Sequence, residues 1–242
     1  MTKDEVFKKP VEKSSDFKFD KNVVTVFDDM VTRSVPFYLE IQRMIAELSQ
    51  EYAVKDTLVY DLGCSTGTTM LNMNNWVPDD IKFIGIDDSP QMLEQCRENL
   101  TKAGFTRPFD LQHCDLNKSV PVKNASVVVL CLTLQFIRPL YRNQIMKEIY
   151  NGLVDGGCLI LVEKILGEES SLNRNYIKYY YDFKKRNHYS ELEISQKREA
   201  LENVLVPYKI SEDIEMVQAA GFSHCEVFFK WYNFAGMIAL KK

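Results

Sequence analysis

Histidine and cysteine are sparse in this chain of 242 residues, and neither is arranged for metal. The six cysteines, Cys64, Cys96, Cys114, Cys131, Cys158 and Cys225, contain no C-x-x-C pair. The three histidines, His113, His188 and His224, share no ligand spacing with them. Together these absences argue against a structural zinc and against a disulfide framework; reduced, mostly buried thiols are expected. Basic excess is missing as well. With 30 Lys and Arg against 34 Asp and Glu the formal net charge is −4, which excludes a general nucleic-acid or anionic-membrane binder of the basic-patch kind. No apolar run approaches the ~20 residues that cross a bilayer, and the opening MTKDEVFKKPVEKSSDF has no apolar signal core. Cytoplasmic location, no membrane partner and small-molecule chemistry are the resulting expectations.

The length suits one domain over 1–242, comprising an N-terminal arm with cap helices over 1–56 and inserted helices over 168–220. FDKNVVTVFDDMV and PFYLEIQRMIAELSQEYA carry helical periodicity ahead of the first strand. After them TLVYDLG, IKFIGIDD, PFDLQHCD, SVVVLCLTLQFI and GGCLILVEK read as strands, and helices alternate with them. Strands that are apolar nearly throughout imply a parallel sheet covered on both faces, hence a doubly wound α/β fold. The closing CEVFFKWYNFAGMIALKK reads as a strand pair. Between Glu168 and that pair the pattern is helical only. In RNYIKYYYDFKKRNHY, cations and aromatics mingle as in single-strand binders, yet Tyr176, Tyr180 and Phe183 recur at helical spacing, which favours a packed face.

In VYDLGCSTGTT a strand reaches Asp61 and a helix starts near Gly67, with Gly63, Ser65 and Gly67 forming a small-residue turn. The spacing is not the G-x-G-x-x-G of a dinucleotide site. Asp87 ends the second strand, where a carboxylate can accept both hydroxyls of a ribose, and Asp115 ends the third. Three acidic strand ends along one crevice suit a cationic sulfonium nucleotide better than a phosphate-bearing one, which favours S-adenosylmethionine over NAD. Plain helix capping by Asp87 and Asp115 is the competing reading.

The stretch Asp61-Leu62-Gly63-Cys64-Ser65-Thr66-Gly67 resembles the first motif of the class I S-adenosylmethionine-dependent methyltransferases, with Ser65 at the middle small position. That likeness implies a Rossmann-like, mostly parallel sheet with an antiparallel C-terminal hairpin. It further implies that Asp61, Gly63, Cys64 and Ser65 hold the amino-acid end, Asp87 and Asp88 the ribose and adenine side, and Asp115 with Leu116 the adenine edge. RSVPFY, YDLGCSTGTT, IDDSPQMLEQCR, LTLQFI, YDFKKRNHYSELEISQKREALENVL and YNFAGMIALKK together resemble a narrower group, the carboxy-S-adenosyl-L-methionine synthases. The resemblance implies a homodimer that converts S-adenosylmethionine and prephenate to carboxy-S-adenosylmethionine and phenylpyruvate. It also implies a functional link to a tRNA-carboxymethylating enzyme that makes the 5-oxyacetyl-type wobble uridine, with no direct nucleic-acid contact. Tyr38 is then a nucleotide or substrate contact from the N-terminal cap, although a core tyrosine behind a helix-starting Pro36 reads equally well. Cys131 stands where that family has asparagine, and a locally rearranged contact is expected there.

YSELEISQKREALENV carries the most specific part of the resemblance. Ser190 and Glu193 fit a capping box, and Tyr189 with Ile194 fits a hydrophobic staple. Ile194, Arg198, Leu201 and Leu205 fall on one helical stripe, so a cation interrupts an apolar face. Either Arg198 snorkels and pairs with Glu202, or it enters a pocket. By the resemblance it binds the new carboxylate of the product, reaching in from a neighbouring subunit, and a guanidinium fork suits that task.

Overall fold

The computed structural model describes residues 3–10, 17 and 19–242. Three helices precede the sheet: α1 (Lys21–Val24), α2 (Phe27–Ser34) and α3 (Tyr38–Tyr52). The alternating part follows as β1 (Leu58–Leu62), α4 (Thr68–Met73), β2 (Lys82–Asp87), α5 (Pro90–Lys102), β3 (Phe109–His113), β4 (Ala125–Cys131), α6 (Pro139–Gly152) and β5 (Leu153–Lys164). Then come α7 (Ser170–Arg186), α8 (Glu191–Leu201) and α9 (Ile210–Ala220), and the chain closes with the hairpin β6 (His224–Trp231) and β7 (Phe234–Leu240).

All seven strands form one sheet in the order β3-β2-β1-β4-β5-β7-β6. β1 to β5 run parallel, whereas β7 is antiparallel to both β5 and β6. The pleat sorts the side chains into two cores. Tyr60, Leu62, Val128, Leu130, Leu159 and Leu161 pack with Ile145, Met146 and Ile149 of α6 and Met216 and Val217 of α9. Their alternates, Val59, Val127, Val129, Ile160 and Val162, pack with Ile41 and Ile45 of α3, Met70 and Met73 of α4 and Leu100 of α5. Successive residues therefore serve opposite layers, as period-two strands buried on both faces must.

Two boundaries differ from the sequence reading. The apolar run 126–137 leaves the sheet at Cys131: Leu132 takes a left-handed φ of 60° and Leu134–Phe136 forms a 3₁₀ turn. Pro36 does not start a helix either, because α3 begins at Tyr38 behind Phe37, itself left-handed at φ 56°. The helical reading of FDKNVVTVFDDMV resolves into the two short helices α1 and α2. α8 begins as read, with a full capping box between Ser190 and Glu193.

Candidate active site

At the carboxyl edge of the parallel strands lies a cavity of about 1000 Å³. Its walls come from the N-terminal helices, the loops after β1, β2, β3 and β4, the end of β5, and α7 and α8. The loop after β1 lies close to the backbone beyond β4. Gly63 adopts φ +82°, and a Cβ there would strike the Thr133 side chain, so only glycine fits without displacement. Ser65 is also left-handed (φ 46°), and its amide donates to Asp87 Oδ2 at 2.9 Å. Asp87 Oδ1 accepts from the Ser89 amide at 2.9 Å, so the loops after β1 and β2 are tied through one carboxylate.

Gly63, Cys64, Ser65, Asp87, Asp88, Leu116, Cys131, Tyr38 and Arg198 all line this cavity. Asp61 lies beneath it, 1% exposed, with neither carboxylate oxygen hydrogen-bonded. Burial, and then the nearby Asp87, push its carboxyl up to about 7. Burial pushes Asp87 up to about 6. A sealed, unpartnered carboxylate is costly on its own and implies a ligand that supplies a positive charge or a donor.

Asp115 is the exception among the residues read from sequence. It does not line the cavity: its Oδ1 accepts from the amide and side chain of Asn117, both at 3.0 Å, and Oδ2 lies 3.2 Å from Lys118 Nζ. Those donors hold its carboxyl below the usual range. No helix follows Asp115 before β4, so it is no helix cap either: it closes a turn within its own loop, and the loop after β3 presents Leu116 and Asn117 to the cavity instead. His113 is exposed, with Nε2 2.9 Å from the Asp88 carbonyl oxygen.

Tyr38 is 8% exposed and within electrostatic reach of Asp61, Asp28 and Cys131. Desolvation raises its phenol well above the ordinary value, so it stays a neutral donor. The Cys131 thiol is held up in the same way, and its contact is with Gln42, whose Nε2 lies 3.6 Å from Sγ. Gln42 Oε1 has no partner.

On α8 the buried face is Glu193, Ile194, Lys197 and Ala200. Arg198 is exposed, and no ion pair among the described residues joins it to Glu202. The cation within the packed side of the helix is thus Lys197, one residue earlier than the stripe reading placed it. Arg198 instead borders the cavity with Leu201, Glu202 and Leu205.

Three lysines border the cavity for which no site role was expected from sequence. Lys164 at the end of β5, Lys184 on α7 and Lys197 on α8 all line the cavity. Lys164 Nζ and Lys184 Nζ stand 5.1 and 4.9 Å from the centroid of the same Tyr180 ring. Lys197 Nζ is 3.3 Å from Ser34 Oγ and 5.8 Å from the Tyr189 ring. Burial lowers Lys164 and Lys197 to about 8. Lys184 falls well below its ordinary value through burial and the repulsion of the other two. Arg33 braces the region by donating to the carbonyls of Asn187 (3.0 Å), His188 (3.1 Å) and Asp4 (3.2 Å), and it covers the Tyr189 ring at 4.1 Å.

β5 serves two purposes at its end. Glu163, 3% exposed, accepts from the amides of Leu134 and Gln135 at 3.0 and 2.8 Å, fixing the 3₁₀ turn. The next residue, Lys164, borders the cavity, and its amide donates to Gln135 Oε1 at 2.9 Å.

Comparison with known proteins agrees with this geometry. The sequence model of the methyltransferase-domain family matches residues 59–157. A human N-acetylserotonin methyltransferase crystallised with S-adenosylmethionine is similar over 91% of this chain and 55% of its own, with TM-score 0.61 and 14% identity. An O-methyltransferase family protein from Burkholderia thailandensis is similar over 93% of this chain and 61% of its own, with TM-score 0.69 and 14% identity. At such identities these structures speak for the fold alone. Curated relatives speak for the family. The carboxy-S-adenosyl-L-methionine synthase of Methylococcus capsulatus is 52% identical over 242 residues, the full length of both chains. That of Nitratiruptor is 42% identical over 100% of this chain and 99% of its own, and that of Shewanella pealeana 43% identical over 99% of each. With its class I methyltransferase sheet, its acidic strand ends and full-length identity of this order, the chain belongs to the carboxy-S-adenosyl-L-methionine synthase family.

Proposed function

We propose that this protein converts S-adenosylmethionine and prephenate to carboxy-S-adenosylmethionine and phenylpyruvate, the product serving 5-oxyacetylation of wobble uridine in tRNA. The observation that carries the reading is one cavity with a wall of each sign. Asp87 and Asp88 line the end formed by the β1 and β2 loops, with Asp61 sealed beneath them, and Arg198 borders the same space. A methyl donor with a cationic sulfonium and amino group suits the first wall, and a newly formed carboxylate suits the second. Asp61 faces the amino-acid end, and Asp87 and Asp88 face the ribose and adenine side.

In the reaction, prephenate aromatises by losing carbon dioxide and its ring hydroxyl. A methyl proton of the sulfonium leaves with that hydroxide as water, and the resulting ylide carbon forms a bond to carbon dioxide. Charge balances: a monocation and a dianion become a zwitterion and a monoanion. The protein's contribution is to hold the two partners in register and to keep water from reprotonating the ylide. Tyr38, neutral and buried beside the acidic wall, donates a hydrogen bond without bringing a charge.

A homodimer in the cytoplasm completes the reading. The dimer is supported by an exposed aromatic pair, Tyr179 of α7 and Tyr232 of the hairpin, whose tilted rings have centroids 4.9 Å apart, with Trp231 4.8 Å from Tyr232.

Protein purified without added ligand and examined by native mass spectrometry should carry a nucleotide heavier than S-adenosylmethionine by one carboxylate. Incubation with S-adenosylmethionine and prephenate should yield phenylpyruvate in step with carboxylated nucleotide. Phenylpyruvate appearing at the uncatalysed rate, or a methylated product in its place, would refute the reading; a methylated product would mark an ordinary methyltransferase.

A further inference from the structure

Resting on the preceding reading, we infer that Lys164, Lys184 and Lys197 form a dianion-binding subsite that holds both carboxylates of the carboxyl donor and makes the enzyme select dicarboxylates over monocarboxylates. The three amines come from a strand end and two different helices and border one cavity. Lys164 and Lys184 share the Tyr180 ring, and Lys197 stands against the Ser34 hydroxyl. Among the described residues none of the three is in an ion pair. The carboxylate of Asp4 is within electrostatic reach of Lys184 and Lys197, yet its Oδ2 accepts the Tyr189 hydroxyl at 2.6 Å and its Oδ1 accepts the Val6 amide at 3.2 Å.

Buried ammonium groups are ordinarily matched by acids, because leaving them unmatched costs folding free energy. Three amines converge with one engaged acid nearby, and burial and mutual repulsion hold their protons loosely, those of Lys184 most of all. A dianion entering there would answer the charge that they take up. The charge falls at the α7 and α8 side of the cavity, whereas the acidic residues that suit the sulfonium nucleotide lie at the β1 and β2 loops. An anionic donor held there meets the methyl group between the two walls. Burial already lowers all three amines, so donor binding should draw protons onto them from solvent.

Full-length Lys164→Met and Lys184→Met keep most of the aliphatic stem and remove the charge. Each should raise the KM for prephenate at least tenfold while the calorimetric Kd for S-adenosylmethionine stays within about threefold of wild type. Lys184→Arg, which restores the charge, should recover most of the lost KM. Glutarate and butyrate serve as matched dianion and monoanion probes. Glutarate should bind wild type at least tenfold more tightly than butyrate, and the double Met variant should lose that preference. An unchanged prephenate KM, or prephenate KM and S-adenosylmethionine Kd rising together, would overturn the assignment. If wild type forms no phenylpyruvate, the function proposed above falls; glutarate binding to wild type against the double variant still decides the lysine subsite.

Discussion

Replacing Arg198 with alanine is expected to strip the protein of carboxylated nucleotide while leaving S-adenosylmethionine binding almost intact. The guanidinium borders the cavity, and none of its donors is engaged by a hydrogen bond or ion pair among the described residues. The side chain is exposed, so its removal should leave the fold's stability within about 0.5 kcal/mol. Nothing in the uncarboxylated substrate calls for a cation at that place. The product does, because its new carboxylate would otherwise be partly desolvated with no partner. A charge-assisted hydrogen bond to such a group contributes about 1.5–3 kcal/mol, or roughly ten- to 150-fold in affinity. Lysine at 198 keeps the charge but loses the fork and should fall between the two. Calorimetric titration of wild type, Arg198→Ala and Arg198→Lys with both nucleotides checks this. Equal weakening of both nucleotides would make Arg198 a structural residue.

Asp61→Asn should act in the opposite direction, on the substrate rather than the product. Its carboxylate oxygens are sealed and unpartnered, and burial together with Asp87 raises the group to about 7. The folded form therefore binds a proton that the unfolded chain gives up near 3.8. A raised folded value means its stabilising contribution is complete below about pH 4 and is lost as pH rises through about 7. Over those roughly three units the loss is on the order of 4 kcal/mol. Asparagine has no charge to bury, so the variant should melt higher than wild type at pH 8 and lose that advantage toward pH 5. Ligand binding should suffer. Removing one partner of a desolvated charge pair costs about 2–5 kcal/mol, thirtyfold or more in affinity for S-adenosylmethionine. In wild type, binding should weaken below pH 7, up to about tenfold per unit, because the carboxyl must release its proton to meet a cation. Asp87, near 6, steepens this dependence in acid. Thermal melts and S-adenosylmethionine titrations from pH 5 to 8 on both proteins test it. A pH-independent wild-type affinity would show that Asp61 does not face the amino-acid end.

Much of this arrangement is legible in the chain because strands buried on both faces leave apolar runs that resemble little else. The order of β1 to β5 with their helices, the acidic ends at Asp61 and Asp87 and the Ser190 cap follow from periodicity and capping chemistry. Asp115 misleads because β3 ends two residues before it, at His113, and an acid followed two residues later by Asn117 can turn back on its own loop. On α8 the ambiguity is one residue. Lys197 and Arg198 are neighbours 100° apart on the helix, and a lysine stem packs nearly as well as an aliphatic chain, so sequence cannot say which cation turns inward. The lysine subsite was hidden for another reason. Its members lie on three elements, and lysine by itself reads as surface. The available hint was positional: Lys164 closes an apolar strand, and Lys184 follows Tyr180 by one helical turn.

The end of β5 sets a condition on the sheet as a whole. Glu163 and Lys164 are adjacent, and the pleat sends one to the turn after β4 and the other to the cavity. Slippage of this strand by a single residue that carried Lys164 into the place of Glu163 would lodge an amine among the Leu134 and Gln135 amides and push the carboxylate into the buried place of Val162. A chain threaded that way would set donor against donor and leave the turn after β4 without the acceptor that fixes it, so the charge order at the end of β5 favours a single register.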